Sequence, residues 1–388
     1  MRKSVLLVIL GNLASFGPFV TDFYLPCLPE LADYFSASAS VVQVSLTASM
    51  IGLAVGQLLI GPVADKYGRR RPLLFSLALF VVATAGCLCS SEIHWFIFFR
   101  LLQGLTGASG LVISKVMVVD LYSGRSAERF FAVLTAIQFI APILAPVLGG
   151  VIFSLTSWKG IFIVLGLWGV LLLYASSRLK ESLAAERRLR LPVCKSLVAF
   201  LPVLRNRRYM VMNVFQAFVG AVFFSYISAS PFIFQNHFGL SPLHYGLCFA
   251  GNAFGLILGS LIVIRLKEQR SCLAPCTAGL LAMCLLTSVA LLEGWAFPIF
   301  EGLLFLMILC CGILIPVGNM QALEAEPDNK GIAAALAGAL AFLFGGMAAP
   351  LVGIGNLIHS TLILFMVCAF MSLLSYLYAR KKGLLARS

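Results

Sequence analysis

Apolar residues run through this chain in twelve long blocks, at about 4–28, 41–63, 73–92, 95–118, 129–153, 160–177, 209–234, 243–264, 272–292, 296–320, 331–353 and 360–379. Charged residues gather mostly between them. A helix needs roughly 20 apolar residues to cross a bilayer, so the pattern predicts twelve spanning helices, α1–α12, joined by short connections. The opening Met1-Arg2-Lys3 before an apolar run has the look of a secretory signal. No convincing small-residue cleavage site follows, and the run continues through Gly17, Pro18 and Asp22 to Pro26. It reads as a retained first helix.

Charge adds orientation. With the N-terminus inside, all but three of the 28 Lys and Arg residues fall on that same side; the exceptions are Lys159 in an outer loop, and Arg100 and Lys115 within helices. Cytoplasmic loops carry such an excess, so both termini are expected in the cytoplasm, in a multi-pass protein of the inner membrane. The net charge of +13 is then a topology signal, not a nucleic-acid footprint. A shift of 203 residues brings Gly17, Phe35, Ser38, Gly52, Leu53 and Gly56 onto Gly220, Phe238, Ser241, Gly255, Leu256 and Gly259. Helices α1–α2 thus repeat as α7–α8, in the same orientation. The expectation is two pseudo-symmetric six-helix halves, 1–177 and 209–388, joined by a basic cytoplasmic linker at 178–208.

Composition narrows the function. The chain is 61% hydrophobic and 11% charged, whereas a soluble domain carries about 25% charged residues. Twelve spans leave no room for a soluble catalytic or signalling domain. The eleven cysteines lie mainly in apolar runs, and the pairs Cys87/Cys89 and Cys272/Cys276 lack the further His or Cys of a zinc site. No convergent nucleophile and base is seen either. Neither an enzyme nor a receptor fits; a transporter without a cofactor does, its partners being lipid, a small molecule and a driving ion.

Ionisable side chains inside a bilayer are costly and mark function. Asp22 lies about six residues past the middle of α1, and Arg100 about six before the middle of α4, which runs the opposite way. At 1.5 Å per residue both sit roughly 9 Å toward the outer face. An acid and a base at one depth form the minimal device for proton coupling, since a carboxyl holds or releases a proton as its surroundings alternate between dry and wet. A structural ion pair is the plainer alternative. Lys115 and Glu301 lie near helix ends, where snorkelling explains them. Softer candidates for a substrate cavity are Tyr24, Gln103, Gln138, Asn213, Gln216, Asn252 and Asn319. The loop Gly61-Pro-Val-Ala-Asp65-Lys-Tyr-Gly68-Arg69-Arg70-Arg71 reads as a tight turn whose glycines allow close backbone approach. In α5, Pro142, Pro146, Gly149 and Gly150 form a proline-glycine face suited to a seam where two halves rock.

These residues together resemble the major facilitator superfamily, and within it the Bcr/CflA drug-resistance family. Gly61 to Leu74 is similar to the superfamily's loop between helices 2 and 3. Arg100-Leu-Leu-Gln103-Gly104 through Gly107 resembles its helix-4 arginine motif, and Thr21-Asp22-Phe23-Tyr24-Leu25-Pro26 the family's helix-1 motif. Tyr226 to Phe232, followed by Phe238 to Pro242, resembles the family's helix 7–8 stretch. The resemblance implies proton antiport of hydrophobic or amphipathic drugs such as chloramphenicol or bicyclomycin, with Asp22 and Arg100 in the coupling region; a monomer is expected. It also implies a cytoplasmic charge cluster of Asp65, Arg69 and Asp120 that holds the outward-facing state. Two departures stand against it: Ala145 occupies a usual glycine before Pro146, and Val119 a frequent arginine before Asp120. The nearest rival is the same fold carrying a nutrient or an endogenous metabolite.

Overall fold

The computed structural model describes residues 3–189, 198–266, 268–327 and 329–385. Twelve of its helices are long and apolar enough to cross a membrane: α1 Lys3–Tyr34, α2 Ala39–Tyr67, α3 Arg70–Cys89, α4 Ile93–Leu121, α5 Gly124–Leu155, α6 Trp158–Ser177, α7 Arg207–His237, α8 Pro242–Arg265, α9 Gln269–Leu292, α10 Phe297–Glu324, α11 Gly331–Val352 and α12 Leu357–Lys381. The architecture is all-α, as the apolar blocks predict. Outward faces stay apolar, with Leu155 79%, Ile264 72% and Phe75 71% exposed, which is the surface a lipid solvent requires.

The chain divides into two compact units, Met1–Ala37 with Val44–Val198, and Ser38–Gln43 with Ala199–Ser388. The basic stretch 178–208 is therefore shared between them, and its first part belongs to the first unit. Arg190 and Lys195 lie outside the described residues, as do Arg2, Lys267 and Arg387.

Several helices outrun their apolar blocks. Helix α2 continues to Tyr67 and α4 to Leu121, because polar residues near the membrane surface sustain a helix once it is nucleated. This extension corrects one expectation: Gly61 and Pro62 lie inside α2, and a side chain at Gly61 would meet nothing within 4 Å. Only Gly68, with φ +88°, makes the turn.

Within each unit, repeat-related glycines bring helices into backbone contact. A Cβ at Gly56 of α2 would strike Leu105 O of α4, and one at Gly259 of α8 would lie 2.5 Å from Leu309 O of α10. The α2–α4 contact thus recurs as the α8–α10 contact. Small residues allow such approach where no hydrophobic force holds helices together. Gly56→Val and Gly259→Val are each expected to lower the thermal midpoint of the detergent-solubilised protein by several degrees (about 1–3 kcal/mol of overpacking). Gly61→Ala should leave it unchanged, as followed by tryptophan fluorescence.

Candidate functional site

Helix α1 breaks where its chemistry lies. Its regular part ends at Asp22, and the chain passes through a 3-10 turn at Leu25–Cys27 before a last short helical segment at Leu28–Tyr34. Pro26 and Pro29, each lacking an N–H, stand at the starts of those two segments. The break places Asp22 at a helix C-terminus, 7% exposed, beside Thr21, whose hydroxyl donates to the Gly17 and Pro18 carbonyls at 3.3 and 3.2 Å. It also leaves the last-turn carbonyl of Val20 free to accept.

Arg100 takes that carbonyl. The guanidinium is fully buried; Nη2 donates to Val20 O at 2.8 Å and to Ser49 Oγ of α2 at 3.1 Å, and Nη1 donates to Gln103 Oε1 at 2.8 Å. Its Cζ lies 3.9 Å from the Tyr24 ring centroid, a cation–π contact. Gln103 in turn donates to Thr84 Oγ1 of α3 at 2.7 Å, and the Tyr24 hydroxyl meets Ser45 Oγ at 3.2 Å. One arginine thus ties α1, α2 and α4 together, with α3 reached through Gln103. Among the described residues no ion pair joins Arg100 to Asp22. The guanidinium holds the backbone two residues before the acid and the ring two residues after it. The shared depth of the two residues places Arg100 on the turn that carries the acid, whereas the pairing envisaged as its simplest alternative is absent.

At the opposite end of the unit, Arg69 binds Asp65 and Asp120, the latter through Nε at 2.9 Å, and Ser182 Oγ donates to the same Asp120 oxygen at 3.0 Å. Glu181, which no sequence motif singles out, completes the cluster. Its Oε1 accepts from Arg69 N, Ser182 N and Leu183 N at 2.7, 3.1 and 3.1 Å, and its Oε2 from Arg70 N at 3.2 Å. It caps the N-terminus of α3, where free N–H groups favour an anion. A Cβ at Gly68 would sit 2.5 Å from its Oε2, so the turn needs glycine for space as well as for its positive φ. Arg70 Nη2 donates to Ser177 O at 2.8 Å. Val119 is 61% exposed and takes no part; Ser182 and Glu181 supply the cluster's remaining partners.

The residues 8–350 match the family model described as Major Facilitator Superfamily. The chain belongs to the major facilitator superfamily. It is a secondary transporter, not an enzyme, and a multi-pass membrane protein. Among superfamily relatives it is 35% identical over 362 residues to the "Uncharacterized MFS-type transporter YdgK" of Bacillus subtilis (strain 168), covering 92% of this chain and 90% of that one. It is 26% identical over 400 residues to a "Bicyclomycin resistance protein homolog" of Haemophilus influenzae, covering 99% and 98%. A solved bacterial homologue of the human lysosomal transporter Spinster, in an inward-facing and occupied conformation, superposes with a TM-score of 0.79 at 14% identity, covering 99% of this chain and 98% of that one. That likeness speaks for the major facilitator fold alone.

The softer candidates of this superfamily member spread over both units. In the first, Tyr24 and Gln103 belong to the Arg100 network, and Gln138 Nε2 donates to Ala14 O at 3.3 Å. In the second, Asn213 donates to Tyr209 O at 2.9 Å, Gln216 to Ile315 O at 3.0 Å and Asn252 to Glu301 at 2.9 Å, while Asn319 is half-buried. Most of them therefore join helices. In α5, Pro142 and Pro146 lie within the helix, Gly149 admits the Phe23 carbonyl and Gly150 is buried. The same helix walls a cavity of about 670 Å³ with α1 and α6, lined by Asn12, Phe19, Ala141, Leu144 and Trp168 among others. No sequence signal pointed to it, since its lining is ordinary apolar helix.

Burial alone would raise the Glu181 pKa, but the N–H groups of Arg69, Leu183 and Arg70 and the charge of Arg188 outweigh it and hold the carboxyl below its ordinary 4.5. A carboxyl depressed by folding stabilises above its unfolded pKa and loses that contribution as pH falls through the folded one. Glu181→Gln should lower the thermal midpoint at neutral pH by a few degrees, on the order of 1 kcal/mol for a lost cap. The gap between wild type and variant should persist down to pH 4.5 and close only below it.

Proposed function

We propose that this transporter is a proton-driven exporter of hydrophobic or amphipathic drugs of the amphenicol and bicyclomycin kind. Asp22 carries the proton, and Arg100 fixes the turn on which Asp22 stands. The observation that carries this reading is the buried Asp22 carboxyl at the break of α1, flanked by the Val20 carbonyl and Tyr24 ring that Arg100 holds. The resemblance of α1, α2–α3 and α4 to drug-resistance transporters supports it, as does the bicyclomycin-resistance relative spanning nearly the whole chain.

In this mechanism a drug enters from the cytoplasm while Asp22 is deprotonated or as it loses its proton. After the outward change the drug leaves and Asp22 takes a proton from outside. Exchange is coupled because each ligand favours a different conformation. Because Arg100 spends its donors on α1 backbone, Ser49 and Gln103 rather than on the acid, protonation of Asp22 strands no salt-bridge partner. The Arg69 cluster acts as the clasp of the cytoplasmic face in the outward-facing state, and the proline-glycine face of α5 lets the helix yield.

Inverted membrane vesicles with an acidified lumen test this reading. Chloramphenicol or bicyclomycin should release protons from vesicles carrying the wild-type chain, and Asp22→Asn should abolish the release at unchanged protein level. Full, gradient-driven release in Asp22→Asn would remove the coupling role. Absence of release with either drug in the wild type, alongside release with labelled metabolites, would replace drug export by metabolite transport.

A further inference from the structure

The second unit holds an intramembrane carboxyl that the Asp22 mechanism does not use. Glu301 stands on α10, five residues into the helix, and its Oε1 accepts from Asn252 Nδ2 of α8 at 2.9 Å. Asn252 is fully buried. Glu301 Oε2 is buried without a hydrogen bond, and so by bond geometry are Asn252 Oδ1 and the hydroxyl of Tyr226 on α7, itself 2% exposed, which lies against the Asn252 amide. Among the described residues no cation forms an ion pair with Glu301. The titratable side chains facing it are Tyr226 of α7 and Cys248 of α8, with Tyr245 beside Tyr226. On α9, Cys276 and Cys284 face Cys310 further along α10, and α11 has no titratable residue between Gly331 and Val352.

Counting donors decides what this group is built to hold. An ionised Glu301 offers only acceptors, and with the Asn252 carbonyl that leaves two buried acceptor atoms and one hydroxyl to serve them. Buried acceptors are rarely left so. One proton on Glu301 changes the count. A carboxylic acid and a carboxamide are complementary, the amide N–H donating to the acid C=O and the acid O–H to the amide C=O. The one bond already in place, Asn252 Nδ2 to Glu301 Oε1, is half of that pair.

The repeat gives the arrangement a second support. Asn252 is the residue that the 203-residue shift places on Ser49, and Ser49 is the α2 partner of Arg100 on α4. At the corresponding α8–α10 contact the shift places Leu303 on Arg100, and it is a carboxyl two residues earlier, Glu301, that bonds to Asn252.

We infer that Glu301 and Asn252, with Tyr226 beside them, form a second proton-binding site in the membrane, in which Glu301 is carried as the neutral acid and shares its proton with the Asn252 carboxamide. The site is independent of Asp22 and gives the transporter a second exchangeable proton.

Infrared absorption of the purified full chain in lipid vesicles at neutral pH tests this without any drug. The carbonyl band of a protonated carboxylic acid should be present in the wild type, retained in Asp22→Asn and lost from that variant when the near-isosteric Glu301→Gln is added. Asn252→Leu should move that band to higher frequency, as a carbonyl freed of its hydrogen bond does. A band that survives in full when Glu301→Gln is added to Asp22→Asn, or the absence of any such band in the wild type, would overturn the inference. Since the readout ignores transport, its failure leaves the Asp22 mechanism standing, and failure of drug-driven proton release leaves Glu301 as inferred.

Discussion

A guanidinium has no acceptable place in hydrocarbon unless its donors find acceptors; both Nη groups of Arg100 find them in side chains and in one backbone carbonyl, and Nε alone is buried without one. That requirement organises the first unit. The carbonyl of Val20 is free only because α1 ends two residues later, and Tyr24 lies against the guanidinium only because the chain turns there. The break in α1 and the charge in α4 therefore need each other. A straight α1 would deny Arg100 its carbonyl, and a neutral residue at 100 would leave that carbonyl buried without a donor, at a cost of about 1–3 kcal/mol.

The network also needs helices closer together than ordinary side chains permit. Gly104 of α4 meets the Ser49 carbonyl of α2 directly, and Gly52 meets Leu101 O. Four residues from Arg100, Gly104 brings α2 so near that the short hydroxyl of Ser49 can reach the guanidinium. The sequence Arg100-Leu-Leu-Gln103-Gly104 thus carries a charge, an amide that accepts from it and the gap that lets a third helix approach. On α5, Gly149 does the same for the Phe23 carbonyl, one residue past Asp22, so the acid's turn is enclosed from that side by backbone contact.

Much of this is legible in the sequence, because membrane folding leaves coarse marks. Apolar blocks give the spans, basic residues their direction, and helical rise the common depth of Asp22 and Arg100. The blocks also understate α2, since a rule of apolar length says nothing about where a helix ends in water, and glycine content alone does not tell Gly61, inside the helix, from Gly68, which makes the turn. Glu181 carries no sequence signal for another reason. It sits in a basic stretch more than a hundred residues from Arg69 and Arg70, and its role is to accept backbone N–H groups, which carry no residue code. An ion pair can be guessed from complementary charges, but a carboxylate capping a distant helix cannot.

The two units repeat a scaffold without repeating its charge. Gly56 and Gly259 make equivalent backbone contacts, and Ser49 and Asn252 occupy equivalent places, yet one faces an arginine and the other a glutamate. Arginine stays charged at any pH a cell meets, so the network around it must be permanent; its four-helix reach through Gln103 and Thr84 fits that demand. A carboxyl can shed its charge instead, and the group around Glu301 is correspondingly small: one amide, one hydroxyl and, among the described residues, no ion-paired cation. The difference follows from what each side chain can do with a proton. It makes the first unit the natural holder of a fixed geometry around its own acid, and the second a place where the cost of burying a charge is avoided by not forming it.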